Sequence, residues 1–275
     1  MFQQGIVVCR SADRFVTRSE GRETRHSFSF GQHYDPANTS YGLLVAHNDE
    51  ILQPGKGYPM HTHRDVEIVT WVVSGTLAHE DSTGFRAVLM PGEALCLRAG
   101  LGVEHAEFAD PSASEVTRFV QTWVSPAAGA EARDPETRRT STGAAPGQGV
   151  LTLVASGDKA RLGETGLLIS APGATLSVLR LGPGEMVALP RTAFVHVFVV
   201  SGSVTLRSLA QATDALSAAE LLKAGGRATT EADQELPHQA PMEAGDAVRL
   251  TEIGPAALEG NLAAQVLVWE MCPRQ

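Results

Sequence analysis

Aromatic residues make up only 5% of this 275-residue chain, so aliphatic side chains must fill most of its core. Cysteine is scarce as well. Cys9, Cys96 and Cys272 are odd in number and far apart. That argues against a disulfide framework and for reduced, mostly buried thiols in a cytoplasmic protein. Positive charge is short: the net charge is −9 and no basic cluster exceeds Arg138-Arg139. Direct binding to nucleic acid is therefore not expected. No apolar run approaches the ~18 residues that span a bilayer. The start, Met1-Phe2-Gln3-Gln4-Gly5, lacks the charged and then apolar order of a secretory signal. What the chain does have is an ordinary 43% of hydrophobic residues, and a length that suits one large or two ordinary domains.

Much of it reads as short strands. Glu67-Ile68-Val69-Thr70-Trp71-Val72-Val73 is β-branched and aromatic and stops at Ser74-Gly75. Thr76-Leu77-Ala78-His79 resumes, Pro91-Gly92-Glu93 turns, and Ala94-Leu95-Cys96-Leu97 follows. A turn about every ten residues suggests a sandwich or barrel, and a small barrel can hold one ligand in its mouth.

Two motifs carry chemistry on this frame: His61-Thr62-His63 and His105-Ala106-Glu107. Each places two metal-binding side chains at i and i+2, on one face of a strand. Two such strands side by side would converge three imidazoles and a carboxylate. That donor set suits a divalent transition metal with open coordination positions.

Residues 125 to about 150 are rich in small residues, Pro and Gly, and read as a linker or long surface connection. The halves on either side are alike. Trp71–Leu77 resembles Phe198–Val204, offset by 127, and Pro91–Leu97 resembles Ala244–Leu250, offset by 153. The extra residues fall around Ala210 to Pro241, where Asp214–Lys223 reads as a short helix closed by Gly225-Gly226. Carried across by those offsets, the four polar positions become Ala188, Pro190, Leu258 and Gly260. The second copy has lost every metal-ligand type, so the metal is expected in the first half alone.

Longer stretches resemble a known family. Gly55 through Glu67 is similar to the first cupin motif. His61-x-His63-Arg64-Asp65-x-Glu67, His79-Glu80-Asp81-Ser82-x-Gly84, Pro91-Gly92-Glu93 and Ala99-Gly100-x-Gly102-x-x-His105-x-Glu107 resemble the pirin branch. His26-Ser27-Phe28-Ser29-Phe30 and Tyr34-Asp35-Pro36 are also pirin-like. The resemblance is close over residues 10–124 and only in layout beyond. It implies an all-β bicupin of two barrels: 1–130 binding the metal, 131–150 linking, and 151–275 forming a degenerate second barrel with an insertion near 210–241. It also implies His61, His63, His105 and Glu107 as ligands.

Bacterial pirins are similar to quercetin 2,3-dioxygenases, which implies Fe(2+), with Ni, Mn, Cu or Zn as alternatives, and a flavonol-like substrate cleaved with dioxygen. Glu107 is then both ligand and base. Nuclear pirins imply a different class, a redox-sensitive metal-binding regulator with a protein partner. An isomerase or hydrolase on the same site is a third. Other residues are expected to be structural. His26, His33, His47, His196 and His238 lack a partner at strand spacing, with His47 the best candidate for the pocket. His79 reads as part of a turn, Glu67 as a carboxylate behind the ligands or in a salt bridge, and Arg64-Asp65 as a surface ion pair or interface contact.

Overall fold

The computed structural model describes residues 5–130, 133–141, 148–161, 166–209 and 239–272. Runs of valine, isoleucine, leucine and threonine, cut by Gly and Pro turns, set these residues into strands. In chain order they are β1 (Gly5–Cys9), β2 (Phe15–Ser19), β3 (Arg22–His26), β4 (Leu44–Leu52), β5 (Gly57–His63), β6 (Glu67–Ser74), β7 (Leu77–Asp81), β8 (Arg86–Leu89), β9 (Glu93–Arg98), β10 (Val103–Ala109), β11 (Thr117–Val124) and β12 (Glu136–Ser141). The second half continues with β13 (Thr152–Ser156), β14 (Leu167–Leu168), β15 (Ala174–Leu181), β16 (Met186–Ala188), β17 (Phe194–Ser201), β18 (Ser203–Ser208), β19 (Gln239–Glu243), β20 (Ala247–Thr251), β21 (Ala256–Gly260) and β22 (Ala264–Met271). Two three-residue 3-10 turns, Ser11–Asp13 and Lys159–Arg161, complete the described elements.

The strands make two barrels of the same plan. In the first, a seven-stranded sheet ordered β12-β9-β6-β11-β4-β3-β2 shares its core with a four-stranded sheet ordered β5-β10-β7-β8. In the second, a seven-stranded sheet ordered β1-β20-β17-β22-β15-β13-β14 pairs with a four-stranded β16-β21-β18-β19. Strand pairing is antiparallel except for β13 with β14.

The two large sheets pack back to back, which explains their near-continuous apolar strands. On β6, Ile68 and Val72 face the first barrel's core while Val69 and Trp71 face the other barrel. On β17, Val195, Val197 and Val199 fill the second barrel while Phe194, Phe198 and Val200 face the first. A strand buried on both faces has no polar side to show. Polar bonds cross the same seam: the Ser170 N–H donates to both Glu67 oxygens at 2.8 and 2.7 Å, and Arg118 Nη1 donates to Val200 O at 2.9 Å.

The internal repeat holds at the level of the backbone. The Ser-Gly turns of the two halves both need a left-handed glycine, Gly75 at φ 73° and Gly202 at φ 75°. A Cβ on either would collide with backbone of the adjacent strand, 2.7 Å from Thr117 Cα or 2.0 Å from Ala263 O.

Three expectations need correction. The 131–150 connection is not without structure, because Glu136–Ser141 pairs with Arg98–Glu93 as an edge strand of the first barrel. Its run of Glu, Thr, Arg and Ser, none of it buried, suits such an edge. The N-terminal segment is not wholly part of the first barrel either, since β1 pairs with β20 from Gly5↔Thr251 to Cys9↔Ala247. The thiols are not mostly buried: Cys96 is buried, Cys9 is intermediate and Cys272 is exposed. The helix expected over Asp214–Lys223 lies outside the described residues. No helix among the described residues is long and apolar enough to cross a membrane.

Candidate metal centre

β5 and β10 lie antiparallel in the small sheet of the first barrel, with His105 opposite His61 and Val103 opposite His63. Between His105 and Glu107 the register slips, so that Glu107 faces Tyr58. This bulge gives β5 an extra residue and lets both strands keep their metal-binding types toward the barrel interior. The rings of His61, His63 and His105 stand 4.4 to 4.9 Å apart, and one nitrogen of each lies within 4.8 Å of the others.

Their nitrogens are poised to donate lone pairs. His61 Nδ1 donates to Pro59 O at 2.8 Å, which selects the tautomer whose Nε2 can offer a lone pair. His63 Nε2 and both ring nitrogens of His105 are buried with no hydrogen-bond partner among the described residues. Buried polar atoms are normally paired, and a metal ion satisfies such a set. Burial, followed by the neighbouring His61, lowers the His63 pKa to about 4. Burial likewise brings His105 down to about 4 against the pull of Glu107, so both are neutral at pH 7, as ligands must be.

Glu107 is 2% exposed. Burial alone would raise its pKa, but His79, His105 and Gln121 outweigh it and hold the carboxyl at about 2. Gln121 Nε2 donates to Glu107 Oε2 at 2.9 Å, and Trp123 Nε1 donates to Gln121 Oε1 at 3.1 Å, which fixes the amide's orientation.

His79 was expected in a turn, and the structure puts it in the site. It lies on β7 opposite Glu107, 2% exposed, and forms a second cluster with His105 and Glu107. Its Nδ1 is 3.8 Å from Glu107 Oε1 and its Nε2 is 3.3 Å from Asp81 Oδ2. Burial works against its charge, but the two carboxylates prevail and raise its pKa. Thr83 and Thr137 hydroxyls, each 2.5 Å from an Asp81 oxygen, hold that carboxylate in place. The signal was available: His79 and Asp81 are spaced i, i+2, like the ligand pairs.

The cluster opens into a cavity of about 670 Å³, within the usual range of small-molecule sites. An aromatic wall lines it. Trp123 stands edge-on to His63 at 4.9 Å, Phe30 edge-on to Trp123 at 5.2 Å, and His26 stacks on Phe30 at 5.1 Å. Opposite in character is Glu50, 3% exposed, whose Oε2 accepts from Thr24 Oγ1 at 2.5 Å and from Tyr58 OH at 2.7 Å. Burial, with Glu107 and Asp49 nearby, raises the Glu50 pKa to about 7.

The remaining expectations divide. Glu67 is not behind the ligands; it accepts the Ser170 N–H of the other barrel. Arg64 and Asp65 fall in the turn after β5, with Asp65 at φ 52°, and form no ion pair with each other. His47 misses the pocket because its β4 position faces the seam, against His196 and Phe198. His26, expected to be structural, lines the cavity. His33 stacks on Phe15 at 4.3 Å, and His238 lies outside the described residues. In the second barrel Leu258 is fully buried in an aliphatic core, which occupies the space that the metal-binding types line in the first.

Against known proteins, a family profile described as pirin matches residues 9–124. A Mycobacterium bovis protein with the provisional name quercetin 2,3-dioxygenase is 38% identical over 273 residues, covering 97% of this chain and 95% of that protein. Escherichia coli K12 quercetin 2,3-dioxygenase is 38% identical over 101 residues, 37% of this chain and 43% of that protein. Among solved structures, the bacterial pirin YhhW of Escherichia coli in complex with nickel(II) superposes with TM-score 0.77 at 23% identity, over 98% of this chain and 99% of that one, which is a likeness of fold.

Proposed function

The chain belongs to the pirin family, and on that premise we propose that its first barrel holds a divalent metal on His61, His63, His105 and Glu107 and cleaves a flavonol-like substrate with dioxygen. Iron is the first choice, because mixed nitrogen and oxygen donors with open positions suit dioxygen chemistry; nickel, manganese, copper and zinc are the alternatives. The observation that carries the proposal is the convergence of unpartnered imidazole nitrogens and one charged carboxylate at an aromatic-lined cavity.

When bound, the metal supplies Lewis acidity toward the substrate's hydroxyl and a redox partner for dioxygen. The chain's own residues do the rest. Trp123, Phe30 and His26 hold a planar ring system edge-on and face-on. Glu107 takes the hydroxyl proton. His79, whose pKa the neighbouring Glu107 and Asp81 raise, stabilises the carboxylate in its ionised form and orients it, and Gln121 fixes its other oxygen. The enclosing wall limits water around the deprotonated substrate. The electron-rich ring then reacts with dioxygen to give the ring-opened ester and carbon monoxide.

Metal analysis of protein purified without added metal, followed by flavonol depletion and oxygen uptake on the same sample, tests the proposal. Oxygen consumption matched to flavonol loss supports it. No uptake across a broad flavonol panel, with metal present, overturns it in favour of a metal-dependent binding module. Glu107→Gln is expected to cut kcat by about 100-fold or more, the usual scale for a lost general base. A variant that keeps its metal and full activity would remove the base role.

A further inference from the structure

Away from the metal centre, the seam between the two large sheets buries a second group of polar side chains, drawn from both barrels. Arg14, just after the Ser11–Asp13 turn, is 9% exposed, and its guanidinium carbon sits 4.8 Å over the Phe198 ring. His47 of β4 meets the same ring at 5.0 Å and the fully buried His196 of β17 at 4.7 Å. Arg249 of β20 lies 4.3 Å over Phe28, whose ring is 6.3 Å from His196.

These groups leave buried polar nitrogens without partners. All three guanidinium nitrogens of Arg14, Nε2 of His47, both ring nitrogens of His196 and Nε of Arg249 are shielded from solvent and without a hydrogen-bond partner among the described residues. The carboxylates in range are already engaged. Asp49 is held bidentately by Arg118 at 2.8 and 2.9 Å. Asp246 accepts from Arg10 Nη1 and from the Ser11 and Glu243 N–H groups. Burial, then Arg14 and Arg249, pushes the His47 pKa well down, and burial, then His47 and the two guanidiniums, does the same to His196, so both are neutral at pH 7. Burial lowers Arg14 to about 10, so it remains charged. Arg249 is partly satisfied, its Nη1 donating to Asn38 Oδ1 and its Nη2 to Ser27 O, both at 2.8 Å, but Arg14 is a buried guanidinium with no acceptor, which is far more costly than a neutral amide would be. Water would fill hydrogen bonds but leave the charge uncompensated, and a long organic acid has no open path to atoms this enclosed.

We propose that this seam is a binding site for one small monovalent anion of the halide kind, held by Arg14, His47, His196 and Arg249 and bridging the two barrels. The test uses the full-length, metal-loaded protein with sodium bromide as probe. Crystals grown in bromide are expected to show one anomalous peak in the seam against the Arg14 guanidinium. In solution at constant ionic strength, replacing a bulky anion such as gluconate by chloride or bromide should raise Tm saturably, by about 5 °C at full occupancy. Arg14→Met should abolish that saturable response and leave the bound metal content unchanged. If Arg14→Met does not fold, His196→Phe is expected to weaken the halide midpoint at least tenfold. Ordered water alone in the seam, or a bromide peak at crystal concentration without any saturable Tm response, would overturn the assignment.

Discussion

Glu50 and Glu107 open onto one cavity, and their surroundings drive them in opposite directions. Glu107 is held near 2 by His79, His105 and Gln121 despite its burial, while Glu50, whose partners are two hydroxyls, is carried by burial to about 7. Glu50 therefore holds its proton more tightly in the folded protein than at its ordinary value of 4.5. Below that value both states are protonated and the residue contributes no pH dependence. As pH rises toward 7 the unfolded chain releases its proton first, so stability is lost, by about 3 kcal/mol once both are ionised. Glu50→Gln keeps an acceptor for Thr24 and Tyr58 without the charge. It should raise Tm by several degrees at pH 8 and change it little at pH 4.5, read by calorimetry at both; equal shifts at the two pH values would contradict this. Residues at this scale were legible when chemistry and spacing coincided. The four proposed ligands could be picked out because each pair matches the two-residue period of a strand. Glu50, Gln121 and Trp123 could not, since a single Glu or Gln on a strand carries no mark of what faces it from three other strands.

At the scale of elements, the approach of β5 to β10 decides whether four side chains meet. Gly57 sits where the two backbones are closest: a Cβ there would lie 2.0 Å from Glu107 O and 2.6 Å from Phe108 Cα. Gly57→Ala must push the strands apart next to the bulge. It is expected to destabilise the protein by about 1–3 kcal/mol, the usual cost of overpacking, and to lower metal content measurably after desalting. Retention of full metal by a destabilised Gly57→Ala protein would show that the bulge absorbs the shift. Strands with both faces buried were easy to find, as Ile68–Val73 shows. Edge strands were not: Glu136–Ser141 has the charge and small residues of a connection, and only its pairing with β9 makes it a strand. Through Thr137 that edge strand also reaches Asp81 behind the site, a contact no local pattern announces.

For the whole molecule, the relation between the barrels was readable from the repeat, but the seam was not. The offsets of 127 and 153 put Ala188 and Leu258 on strands that pair as β5 and β10 do, β16 beside β21. The residues that join the halves, Glu67, Ser170, Arg118 and Tyr41, sit at no repeated spacing, so their partners are visible only in three dimensions. Because those bonds and a shared apolar layer cross the seam, both barrels should unfold together. Chelation is then expected to lower the Tm of one common transition in a calorimeter, although the proposed ligands lie in one barrel. Two transitions with only the first sensitive to chelator would show that the barrels melt independently. The pairing of β1 with β20, Gly5 against Thr251, bears on how such a chain is made. During translation β1 has to wait, unpaired, until β20 has emerged from the ribosome. The second barrel's sheet therefore cannot close that edge before Ala247–Thr251 has been made, and a product truncated between the two strands would leave β1 exposed to its neighbours.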